Sequence, residues 1–122
     1  MKKNVYDRIR RAREEQLHEM RETELISAHF PDVSGIVVTM RYSNRFAPAM
    51  RRTLNFRPGS HAFFKVNCMG EGCVDGGLDM TGIVTLMVRN HEALAKGTLF
   101  CDNSDPAPVH ADMTYRIAIT YN

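Results

Sequence analysis

Tryptophan is absent, cysteine is scarce at three residues, and no apolar run is long enough to cross a bilayer. A membrane-spanning helix needs about 20 consecutive apolar residues, so none is expected. Three cysteines cannot build the disulfide framework of a small secreted domain, and an odd count leaves one over. An excess of one charge is missing too. Sixteen Lys and Arg stand against 14 Asp and Glu, and a net charge of +2 gives no bulk attraction for polyanions. Neither a repeat nor a low-complexity tract is visible, which excludes solenoids and biased disordered arrays. The opening MKKNVYDRIRRAREE is basic, but no apolar segment follows as in a secretory signal, so a cytoplasmic protein without membrane contact is expected.

What is present is an ordinary globular composition, 43% hydrophobic and 25% charged over 122 residues. A chain of that length folds as one domain and buries roughly two thirds of its unfolded surface. The charge balance hides segregation. Residues 1–24 hold seven basic and six acidic residues; Arg41 to Arg57 holds five arginines and no acid; from Pro58 onward there are four basic and seven acidic residues. A local anionic partner fits such a basic stretch, and so does plain solvation of strand ends.

Residues 1–30 read as an N-terminal charged helix and residues 31–122 as a single α+β domain. The helix is expected over about Tyr6 to Glu24, with Asn4 as its N-cap and Asp7 in the first turn. Pairs at i,i+4 (Asp7–Arg11, Arg10–Glu14, Arg11–Glu15) support it, whereas Val5, Ile9, Leu17 and Met20 give only a thin, broken apolar stripe. Such a helix is solvated, docks by a narrow seam on its own sheet, or joins two copies as a homodimer.

Beyond Gly35 the period changes to two. Ile36, Val38 and Met40 alternate with Val37, Thr39 and Arg41; Leu54 and Phe56 alternate with Arg51, Thr53, Asn55 and Arg57. After the Pro58-Gly59 turn, Ala62, Phe64, Val66 and Cys68 alternate with Phe63, Lys65 and Asn67. Met80, Ile83, Val84, Met87, Val88, His91, Leu94 and Ala95 recur at i, i+3, i+4, the strongest helical pattern in the chain. Its start is capped by Asp79 or Thr81, and Lys96-Gly97 closes it. Strands over Thr98–Cys101 and Met113–Tyr121 follow. The order α-β-β-β-α-β-β predicts an α+β fold, an antiparallel sheet of about five strands with helices packed on one face. Ile83, Met87 and Leu94 should then be buried against Phe64 and Ile117.

Three constellations carry candidate chemistry. Cys68 and Cys73 form a C-x4-C knuckle in a glycine-rich turn, and Cys101 adds a third sulfur, with His91 or His110 available to close a tetrahedral Zn²⁺ site. The competing reading is that these cysteines are small buried hydrophobes and His91 a hydrogen-bonded core residue on the apolar face of its helix. A cysteine nucleophile near that helix's N-terminus, and so a thiol-dependent enzyme, is the third-ranked function. The glycine run 70–77 leads into a helix like a phosphate loop. It lacks the Lys-Ser/Thr pair, and Glu71 and Asp75 would repel an anion, so it reads as a turn.

The last constellation is the sheet face turned from the helices. Alternation puts Arg41, Arg51, Arg57, Phe63, Lys65, Phe100 and Arg116 there, without an acid. Rings on which bases stack, set among cations that meet phosphates, make a single-stranded nucleic-acid surface. Solvent or a protein partner covering the same face is the alternative. The sequence thus describes a small soluble binding or interaction module rather than an enzyme. A structural zinc site and nucleic-acid recognition are its two chemical expectations.

Overall fold

The computed structural model describes residues 2–44, 47–67, 77–100 and 112–122. In chain order the elements are helix α1 (Lys2–Glu22), the single-turn helix α2 (Ile26–His29), strands β1 (Val33–Asn44), β2 (Ala47–Phe56), β3 (Lys65–Asn67) and β4 (Gly77–Asp79), helix α3 (Thr81–Arg89), and strands β5 (Leu94–Phe100) and β6 (Asp112–Tyr121). Four strands form one antiparallel sheet of order β2-β1-β6-β5, and β3 pairs with β4 as a separate two-stranded ribbon.

The period-two stretches behave as their chemistry requires. Ile36, Val38 and Met40 of β1 face Met113, Ile117 and Ile119 of β6 within one buried cluster, with Leu54 and Phe56 of β2 at its margin. Ile26 and Phe30 from α2, Phe64, Val66, Leu78 and Met80 from the ribbon, and Val84 and Met87 from α3 complete that cluster. Each such side chain contributes about 1.5–3 kcal/mol when taken from water. The fold is therefore α+β, with helices on one face of an antiparallel sheet.

Two details differ from the expectation. The segment 62–67 does not extend the main sheet. Backbone bonds tie its approach elsewhere: Ile26 N–H donates to Ser60 O at 2.8 Å, Ser27 N–H to Pro58 O at 3.0 Å and Ala62 N–H to Glu24 O at 2.8 Å. With those groups already satisfied by residues 24–27, only Lys65–Asn67 remains free to pair, and it pairs with β4. The alternation still predicted burial, because Phe64 and Val66 point into the core.

Helix α3 is also shorter than its apolar pattern. Its N-cap is Met80 instead of the expected Asp79 or Thr81, and Thr81 N–H donates to Asp79 Oδ1 at 2.9 Å just before that position. It stops at Arg89, where His91 takes a left-handed backbone (φ 54°). There His91 N–H donates to Val88 O at 3.1 Å and Glu92 N–H to Met87 O at 2.8 Å, the two bonds of a Schellman cap. Leu94 and Ala95 consequently belong to β5, and Leu94 is 46% exposed on the sheet face away from the core. Its expected burial against Phe64 and Ile117 is corrected; Met87 is buried and Ile83 partly so.

Helix α1 begins before Tyr6 and Asn4 lies inside it. No helix among the described residues is long and apolar enough to cross a membrane.

Candidate nucleic-acid interface

The outer face of the four-stranded sheet can be read row by row from its register. Crossing from β5 to β2, one row is Leu94, Ala118, Val37, Asn55; the next is Lys96, Arg116, Thr39, Thr53; the third is Thr98, Thr114, Arg41, Arg51. Two rows therefore carry cross-strand pairs of like charge, Lys96 opposite Arg116 and Arg41 opposite Arg51. All four side chains are exposed. Like charges set directly opposite destabilise a sheet, and among the described residues no carboxylate forms an ion pair with any of the four. At the usual strand spacing of ~4.8 Å and two-residue rise of ~6.8 Å, the cations make a diagonal band roughly 16 Å long across the whole sheet.

Aromatic and apolar groups flank this band on either side along the strand direction. Phe100 closes β5, 68% exposed, in register with Asp112 of β6. At the opposite end Leu94 and Val37 are 46% and 41% exposed. The face is thus cationic in the middle and apolar at its margins.

Four of the seven residues singled out from sequence meet here: Arg41, Arg51, Phe100 and Arg116. Arg57 follows β2 just past the ladder. Phe63 and Lys65 are elsewhere, which corrects their expected place. Phe63 lines a groove together with Leu17 and Met20 of α1, and Lys65 belongs to the ribbon, because residues 58–62 bind the 24–27 backbone rather than the sheet. Lys96 was missed, having been assigned to the end of a helix. The Asn90-His91 pair was the available signal, since both residues tolerate left-handed backbone and so can stop a helix.

The expected metal ligands Cys68, Cys73, Cys101 and His110 lie outside the described residues, as does glycine run 70–76. His91 is described, and it is not on the apolar face of a helix. Its exposed ring stacks on Tyr121 at 3.8 Å and 25°, and Nδ1 stands 3.9 Å from Asp32 Oδ2. No group of three or more His, Cys, Asp or Glu among the described residues is arranged to hold a metal.

The His91 corner serves the fold instead. Tyr121 Oη donates toward Glu92 O at 2.7 Å and Met87 O at 3.2 Å, satisfying carbonyls at the end of α3. Burial raises the Tyr121 pKa, and the charges of Asp32 and Glu92 raise it further. The phenol is bound in its protonated form, so its contribution is complete below the unfolded value of about 10 and is lost as pH rises through the folded one. Tyr121→Phe is expected to cost about 0.5–1.5 kcal/mol at neutral pH. The variant should also lose less stability than the parent as pH rises above about 10, followed by urea titrations. An identical alkaline slope in both proteins would show that the phenol bond has no such role.

Compared with models of protein families, with curated proteins and with solved structures, the chain matches none.

Proposed function

We propose that the protein is a binding module and that the outer face of its four-stranded sheet takes a single-stranded nucleic acid. The observation that carries this reading is the double like-charge pairing, Lys96 with Arg116 and Arg41 with Arg51, on an open face. A sheet gains nothing from such pairs in isolation, whereas a phosphate chain laid along the diagonal neutralises all four at once. Phe100 at the rim offers a ring to a base, and Val37 and Leu94 offer apolar contact at the other end. A duplex keeps its bases paired and stacked inside and would offer this face its backbone alone; unpaired bases can splay onto it.

Fluorescence anisotropy with unpaired RNA and DNA oligonucleotides tests the reading. Each phosphate contact contributes about −0.7 to the slope of log K against log salt on single strands, so four cations should give a slope near −3. Arg41→Ala and Arg116→Ala should each flatten it by about 0.7. Phe100→Ala should weaken binding by about 1–3 kcal/mol with little change in slope. Absence of salt-sensitive binding at low ionic strength, or slopes unmoved by the arginine variants, would remove nucleic acid from this face.

A further inference from the structure

Helix α1 carries its charges against its own dipole. From Lys2 to Arg13 there are six basic residues and one acid; from Glu14 to Glu22 there are four acids and one basic residue. Aligned peptide dipoles leave partial positive charge at a helix N-terminus and negative charge at its C-terminus, so the favourable arrangement is the reverse. The first turn holds no acid at all. Packing does not compensate, since no described side chain of this 21-residue helix is buried. Helices in water owe most of their stability to a packed face, and the described side chains of this one are at most half-buried, Ala12, Gln16 and Met20 among them.

A second feature lies beside it. Arg13, Gln16, Leu17 and Met20 of α1 and Phe63 line a groove of about 260 Å³, and Leu17 is 47% exposed there. It adjoins the acidic half of the helix.

We propose that α1 pairs in antiparallel fashion with α1 of a second copy of this chain. The basic half of each helix then lies along the acidic half of the other, at both ends of the pair, and the two dipoles oppose one another. A parallel pair would set basic on basic and acidic on acidic. Antiparallel pairing about a two-fold axis makes one surface complementary to itself, which closes the assembly at two copies. In the sequence, Val5, Ile9, Ala12, Gln16 and Met20 recur at i, i+3, i+4, a narrow seam for such a contact. The stretch around residues 5–9 of the second copy comes alongside the groove next to Phe63. A uniformly acidic or basic partner would match half of α1 and repel the other half.

Sedimentation equilibrium of the full chain decides the matter, with two charge variants. One changes Glu14, Glu15, Glu19 and Glu22 to Lys; the other changes Arg8, Arg10, Arg11 and Arg13 to Glu. The parent should dimerise, and raising NaCl from about 50 to about 500 mM should weaken the dimer roughly tenfold or more, as screening shortens the range of the attraction. Each variant alone should be monomeric, because both halves of its helix then share a predominant sign and repel the second copy. Their equimolar mixture should form a heterodimer, a result that mere misfolding of a variant cannot produce. A parent that stays monomeric at low salt overturns the proposal. So does a dimer that persists in either variant, or a mixture that fails to associate.

Discussion

Replacing Phe64 by alanine is expected to cost about 3–5 kcal/mol, a large share of the 5–15 kcal/mol that typically holds a domain of this size. Phe64 is 1% exposed and is the largest fully buried side chain among the described residues. Its ring centroid lies 4.9 Å from that of Phe56 on β2 and 6.5 Å from that of Phe30 after α2, so three separate segments converge on it. Truncation removes the transfer free energy of the ring and leaves a cavity that three backbones must shift to fill. Urea denaturation monitored by circular dichroism should show the midpoint falling with little change in slope. Phe100→Ala is the control: with its ring 68% exposed, that variant should unfold with the parent. Equal and small effects in the two would mean that the ribbon does not seal the sheet.

Gly97→Ala is expected to destabilise the sheet by about 1–3 kcal/mol, the usual cost of overpacking. The reason is space, not backbone conformation. Gly97 sits opposite Tyr115 in the β5–β6 register, and a Cβ there would stand 2.5 Å from Tyr115 Oη and 2.8 Å from Cζ. The tyrosine ring lies across the bare glycine, filling the place of its missing side chain. Alanine elsewhere would gain about 0.4–1 kcal/mol through the unfolded chain, so the sign of the effect depends on whether the ring can swing clear. A double-mutant cycle with Tyr115→Ala separates the two. If the clash is the cause, Gly97→Ala should become neutral or stabilising once the ring is removed. A cost that persists without Tyr115 would refute the packing explanation.

The parts of this fold legible in the sequence are those where one period acts alone. In β1, β2 and β6 the alternation of Ile36, Val38 and Met40, of Leu54 and Phe56, and of Ile117 and Ile119 gave strand identity and inward face together. The passage from α3 to β5 misled because Leu94 and Ala95 happen to continue a helical spacing across the His91 cap; a helical stripe and a strand's alternation overlap over so few residues. Which sheet a short strand joins depends on backbone partners far along the chain. Nothing near Lys65 reveals that residues 58–62 are bound by residues 24–27. The candidate interface shared that limit. Its arginines were visible one at a time, but the like-charge pairing is a property of register, which only the ladder defines.

The order β2-β1-β6-β5 has a kinetic consequence. The central ladder joins Val33–Asn44 to Asp112–Tyr121, so the sheet's two inner strands are those farthest apart along the chain. Until residue 121 has been synthesised, the β1–β2 hairpin has one apolar edge without its neighbour, and Ile36, Val38 and Met40 have only part of their packing. Closing a loop of that length before any contact rewards it is slow for a domain this small. The nascent chain therefore emerges with β1 waiting for β6, and the sheet cannot close until β6 has been made.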